Sequence, residues 1–387
     1  MRHTPALLPF VICAFLAGCS SGDDSSPGGD GGGAGMAGAG GSGGTAGEPG
    51  TGGTGGTGGA GGTAGTGGDG GSITPDAGRF PATAPFYADV SDASLAADSA
   101  SIIAGVQSRG GWGLGRFQID FSMEVLVADA GTARRSFVPD EESFWSPDCD
   151  TAPVPLPAGG RIEGESGYAC EGGGDCHLLV HQGNRLYEMG RANLVGTNFV
   201  GGCLVVWDLG RDYWAPASPP SFGRGDGCTS ADAAGLPIAP LLFTADEVAA
   251  GEIAHAIRFI LPNDRIRHRT YVHPGTHATP TASGGTDTPP YGSRWRLKAD
   301  FDESRLPTEG AKVVARALKR YGMILSDGGK VALTAQADTS STAKWDGLLG
   351  SRDLEAIAVT DFEVVDGGAA YAWGVGDTEC NRDPVGD

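Results

Sequence analysis

The residues of this chain best suited to chemistry crowd between Cys228 and Phe259, in the run CTSADAAGLPIAPLLFTADEVAAGEIAHAIRF. Asp232, Asp246, Glu247, Glu252, His255 and Arg258 lie there among small and apolar side chains. Cleaving a glycosidic bond takes one carboxyl that keeps its proton and one that is ionised, at a separation the fold must set. An arginine beside them suits the holding of substrate oxygens or a carboxylate. Asp232, Glu252 and His255 are therefore the candidate catalytic residues, and Arg258 the candidate substrate ligand. Asp175 and Glu188 are further carboxylates upstream. Each acid is equally at home as a cap, a turn residue or half of an ion pair. His255 and Arg258 also fit as hydrogen-bonded core residues, with Arg258 pairing Glu252.

A second group is Arg294-Trp295-Arg296-Leu297-Lys298-Ala299. Strand alternation puts Arg294, Arg296 and Lys298 on one face, able to hold a carboxylated or sulfated sugar, although a solvated outer face explains them as well. Other chemistries find little support. His177 and His181 are four residues apart, which on a strand separates them by roughly 13 Å, too far to share one ion. His273 and His277 have the same spacing across Pro274-Gly275, which rules out a regular helix and its paired-histidine metal geometry. No Cys-x-x-Cys occurs, Ser230 sits in no Gly-x-Ser-x-Gly elbow, and no glycine loop has phosphate-cradling form. No metal and no cofactor is expected.

The elements that must position these residues read mainly as strands. Phe117–Val127, His177–Val180, Gly202–Trp207, Ile253–Ile260, Arg294–Phe301, Lys330–Ala335 and Asp361–Val365 are predicted strands, separated by Gly- and Pro-rich segments. On the strand over 253–260, His255 shares a face with Ile253, Ile257 and Phe259, while Glu252 and Arg258 flank two alanines that would floor a groove. Thr244 and Glu247 fit a capping box for a short helix that Gly251 stops. A longer helix runs from Glu309 to Tyr321, capped by Thr308 and ended by Gly322, with Val314, Ala317, Leu318 and Tyr321 on its apolar face. A short one is placed at 345–349 or 352–356. Many strands with few helices predict a single β-sandwich, jelly-roll-like in form.

The same block carries a resemblance. Gly227-Cys228-Thr229-Ser230-Ala231-Asp232-Ala233-Ala234-Gly235-Leu236-Pro237-Ile238, then Asp246-Glu247-Val248, then Gly251 to Phe259, is similar to an uncharacterised family of secreted proteins with a GWTSADAAGLPI, DEV and GEIxHAxRF pattern. Gly173-Gly174-Asp175-x-His177, Leu186-Tyr187-Glu188 and Leu318 to Leu325 extend it, over about 101–366. The resemblance implies export and no particular activity. Cys228 stands where the pattern has Trp, and His181-Gln182 where it has an acid, so a role for that acid does not carry over.

The rest of the chain says where the protein sits. Residues 1–18 form a signal segment with Arg2 and His3 before an apolar run. Leu16-Ala17-Gly18-Cys19 resembles a lipobox, which implies a lipidated Cys19 and anchoring to the cell envelope, at the outer membrane or cell surface. Residues 19–72 are almost wholly Gly, Ser, Thr, Ala and Asp, a disordered tether with a span of roughly 40 Å. Residues 73–387 make one globular domain. The formal charge of −20 excludes nucleic acid as a partner. Six cysteines remain for the exported domain, Cys149, Cys170, Cys176, Cys203, Cys228 and Cys380, an even set for three disulfides of open connectivity in which Cys170 and Cys176 close a small loop. The reading is a surface lipoprotein that handles carbohydrate, binding or cleaving polysaccharide. It leans on the analogy of an exported β domain, and a non-enzymatic adhesion or envelope module is the competing class. The sequence carries no sign of oligomeric state.

Overall fold

Each predicted strand is present, with bounds moved by a few residues, and most join two main sheets. The structure is a computed structural model that describes residues 79–140, 144–171, 175–215, 222–374, 380 and 382. The signal segment, the tether and Cys19 lie outside these, as do Gly173 and Gly174. The larger sheet orders its six strands Ile119–Met123, Leu333–Gln336, Ile257–Leu261, Met323–Gly328, Arg294–Leu297 and Phe362–Val364. The first runs parallel to the second and the third parallel to the fourth, and the other pairs are antiparallel. A jelly roll is built from antiparallel neighbours; this sheet mixes the two.

The smaller sheet holds Cys203–Asp208, Arg185–Gly190, Leu178–Gln182 and Val125–Val127. Its two faces feed two cores. Leu186, Val205 and Trp207 pack into the main core, while Tyr187, Met189, Leu204 and Val206 pack into a second one. Burial on both faces removes polar alternation, which is why 203–207 is continuously apolar. Glu124 alone separates Ile119–Met123 from Val125–Val127, so the chain crosses between sheets there. That buried carboxylate accepts from Arg161 Nε at 3.1 Å and Thr339 Oγ1 at 2.9 Å, which satisfies it at the corner.

The described residues include three α-helices, so the fold is mainly β with few helices, as the sequence predicts. Thr308 caps Glu309–Arg320 by accepting from Ala311 N at 3.2 Å, and Gly322, at φ +68°, ends it. The Thr244–Glu247 capping box opens Ala245–Ala250, a device worth about 1 kcal/mol. The helix Ser99–Ser108 was not expected, and 345–349 and 352–356 form turns instead of a helix. No helix among the described residues is long and apolar enough to cross a membrane.

The predicted strand over 253–260 needs correcting: only Ile257–Leu261 is a strand. Ala256 N bonds Phe86 O, so backbone from outside the sheet claims the position before it. Glu252 and Arg258 therefore share no strand, and the groove expected between them does not form. Three disulfides are present, Cys149–Cys203, Cys170–Cys176 and Cys228–Cys380.

Candidate functional site

Arg258 is the second residue of its strand and is buried. A buried cation must be paired, and the loop from Thr229 to Ile238 supplies the partner. Asp232 takes Arg258 Nε at 2.8 Å and Nη2 at 2.9 Å, a fork-on-fork pair, and Thr334 Oγ1 takes Nη1 at 2.8 Å. The loop is held rigidly. Ser230 Oγ accepts from Asp232 N at 3.0 Å and donates to Leu236 O at 2.6 Å. Gly235 sits at φ +74°, and a Cβ there would lie 2.1 Å from Thr276 Oγ1, so only glycine fits. Ala234 N reaches Ser326 O at 2.8 Å, which pins the loop to the neighbouring strand.

That strand adds a second carboxyl. The Ile257–Leu261 and Met323–Gly328 pair is in register at Arg258 and Ile324, then slips between Phe259 and Ile260, so that Asp327 stands opposite Ile260. Residues 258 and 260 share a face. The slip thus turns Asp327, instead of Ser326, onto the face of Arg258. Asp327 Oδ2 lies 3.6 Å from Arg258 Nη2, the same nitrogen that bonds Asp232 Oδ1 at 2.9 Å, so the two carboxyls converge on one guanidinium. Burial, then the charge of Asp232, push the Asp327 carboxyl up to about 8 against the pull of Arg258. With 28% of that side chain in solvent, the like charge is the more durable cause. Arg258 is held charged well above the usual arginine range: burial opposes this, and the charge and bonds of Asp232 outweigh it. At neutral pH the trio is a fixed cation, its ion-pair partner Asp232 and a protonated, partly open Asp327.

His177 and Glu163 flank it. Their Nδ1 and Oε2 atoms are 2.6 Å apart. Burial would lower His177, but the bond and charge of Glu163 raise it to about 9, so the ring is an imidazolium at pH 7. Burial likewise opposes the ionisation of Glu163, whose carboxyl is nevertheless lowered by His177. A Cβ at Gly190 would meet both Ala231 O at 3.3 Å and His177 Nε2 at 3.9 Å, so the pair lies near the Asp232 loop, and the charge of Arg258 acts on both. A pocket of about 250 Å3 opens over Glu163, lined also by Gly164, Glu165, Asp175 and Cys176. Glu165, Cys170 and Cys176 come close enough to suggest a metal, yet both sulfurs are in a disulfide and offer no thiolate.

Glu188 anchors the loop from behind. Fully buried, it accepts from Ile238 N at 2.9 Å, Ala239 N at 2.8 Å and Trp207 Nε1 at 2.9 Å. Burial pushes its carboxyl up to about 7, the three donors oppose this, and Asp232 adds to it.

Of the residues singled out by sequence, the structure brings together Asp232 and Arg258, with each other and not with Glu252. Glu252 is exposed and 3.4 Å from Arg320. His255 lies apart, with Nδ1 bonded to Ala256 O at 2.8 Å and Nε2 3.3 Å from Glu247. The cation face is spoken for. Arg294 donates to the carbonyls of Tyr321, Pro85 and Ala88, Arg296 to Glu363 and the carbonyls of Val90 and Ser91, and Lys298 to Thr360 O. These side chains clamp the segment 85–91 and an edge strand. A surface hollow of about 380 Å3 does open beside Arg296, Lys319 and Arg320, but Glu363, Glu303 and Asp89 answer those charges.

Sequence reading missed Asp327 and Glu163. Asp327 follows the alternation of 323–325 and gains its orientation from a register slip that no local pattern announces. Glu163 lies in a Gly- and Ser-rich stretch without periodicity. No family model, curated protein or solved structure matches the chain, so the family resemblance stands on its motifs alone.

Proposed function

We propose that the protein is a surface lipoprotein, anchored through Cys19 and lifted from the envelope by its Gly-rich tether, whose domain cleaves polysaccharide with Asp327 as general acid. The feature that carries the reading is the Asp327 carboxyl, 28% in solvent and 3.6 Å from Arg258 Nη2, which burial and the charge of Asp232 raise towards its protonated form. Asp232 and Asp327 converge on Arg258 Nη2, at 2.9 and 3.6 Å, and do not flank a gap as a nucleophile–acid pair does. Both Asp232 oxygens are held by Arg258, which leaves it to tune Asp327 and not to attack the sugar. One carboxyl then serves both halves of the reaction. Asp327 gives its proton to the leaving oxygen as the glycosidic C–O bond breaks, and takes a proton back from the water that adds to the anomeric carbon. The test incubates the full chain with a polysaccharide panel and detects new reducing ends. Release by the native chain and none by Asp327→Asn, with circular dichroism unchanged, supports the reading. Equal release by both removes Asp327 as the acid, and none by the native chain removes the reading in favour of a non-enzymatic module.

A further inference from the structure

On the other side of the Asp232 loop, three segments converge on an aromatic surface. The first is the turn around Trp145. It is fixed by the Cys149–Cys203 disulfide and docked on the loop through Asp148, whose Oδ2 accepts from Thr229 N at 2.8 Å. The second carries His277, whose backbone N bonds Ala234 O. The third follows the strand Ala370–Ala372, where Trp373 Nε1 donates to Gly227 O at 3.3 Å. The Trp145 ring lies 5.9 Å from the His277 ring, and Trp373 lies 4.6 Å from it, edge to face.

Two features make this more than an apolar patch. Trp145 leaves 47% of its surface in solvent on a tied-down turn. His277 is 1% exposed, and its Nδ1 must donate to Ala233 O at 2.8 Å, because a carbonyl can only accept. Nε2 then carries a lone pair, and it has no hydrogen-bond partner among the described residues. Burial holds the ring neutral at pH 7, its value lowered to about 4. An acceptor on a ring that neighbours two indoles suits a ligand that presents an apolar face to a ring and a hydroxyl donor to the nitrogen. A sugar ring does both. The nearby Arg269 already lies over Trp373, 5.1 Å from the ring centre, and the chain carries a formal charge of −20, so charge favours a neutral glycan over a polyanion.

We propose that Trp145, His277 and Trp373 form a binding subsite for a neutral sugar unit of the polysaccharide, next to the loop that carries Asp232. This rests on the polysaccharide reading above and names the substrate class. Cellohexaose, mannohexaose and chitohexaose are titrated into the full chain by calorimetry, with polygalacturonate as the charged control. At least one neutral hexasaccharide is expected to bind. Trp145→Ala should weaken that binding about tenfold or more, as loss of an aromatic anchor does. His277→Asn keeps a donor for Ala233 O but loses the Nε2 acceptor, and should weaken binding to a similar extent while leaving the circular dichroism unchanged. Binding to none of the three, tighter binding of polygalacturonate, or unaltered binding by Trp145→Ala overturns the proposal. The two readings separate cleanly. Cleavage abolished by Asp327→Asn with normal binding by Trp145→Ala removes the subsite alone. Binding lost in Trp145→Ala without any turnover by the native chain removes the general acid alone.

Discussion

Replacing Asp232 by Asn strikes the charge arrangement at its centre. Its carboxylate is 1% exposed and receives two charge-assisted bonds from Arg258. Removing one partner of a buried pair costs about 3–5 kcal/mol, because the other charge is stranded. Here a substitute stands ready, since Asp327 Oδ2 is 3.6 Å from Arg258 Nη2. With Asp232 neutral, the like charge that keeps Asp327 protonated is gone and Arg258 draws it into the ionised form. Part of the cost is recovered, and the net loss should be about 2–4 kcal/mol at pH 7. The pH dependence identifies the cause. Asp327 is raised from 3.8 to about 8, so its contribution is fully present below 3.8 and is lost as pH rises through about 8. His177, raised from 6.5 to about 9, acts with the same sign: its contribution is present below 6.5 and is lost through about 9. The native protein should therefore lose stability between pH 7 and pH 9. In Asp232→Asn the Asp327 share of that slope should vanish, leaving the His177 share. Urea unfolding at both pH values, with m-values compared, measures this. A variant as stable as the native protein at pH 7, or one with an undiminished slope, refutes the reasoning.

Further outcomes follow from other contacts. Glu188→Gln puts an amide donor against an N–H that now has an acceptor, and should lower stability by about 2–3 kcal/mol in thermal unfolding; an unchanged melting temperature would contradict the latch on the Asp232 loop. Cys380→Ser opens the disulfide of sequence separation 152 and should cost about 2–5 kcal/mol. In the native domain the six cysteines should resist alkylation under denaturing, non-reducing conditions, and two or more reactive thiols would count against the three bridges. Cys19→Ser should abolish lipid labelling and release the protein from membranes; undiminished membrane fractionation argues against the anchor.

Much of the scaffold was legible because its cues are local. Thr244, Glu247 and Thr308 cap helices by contacts within one turn, and alternation marks 119–123 and 294–297 directly. The site was half legible. Asp232 and Arg258 stand out as charges among small residues, and the structure pairs them. Glu252 and His255 stood out for the same reason, yet their strand begins only at Ile257, and each finds its partners elsewhere. Asp327 was hidden because its role comes from a one-residue slip against a parallel strand more than sixty positions away in sequence. The cations Arg294 and Arg296 misled because their alternation is real, but the face they share is covered by the chain between Pro85 and Ser91, which no strand pattern encodes.

The account turns on one proton. Aspartate labelled with carbon-13 at the side-chain carboxyl, followed by NMR from pH 3 to pH 10, reads it directly. One carboxyl should titrate near 8 and be missing from the spectrum of Asp327→Asn. If the resonance lost in Asp327→Asn instead titrates near the ordinary aspartate value of about 3.9, then Asp327 carries no proton to give at neutral pH, and the general-acid reading fails.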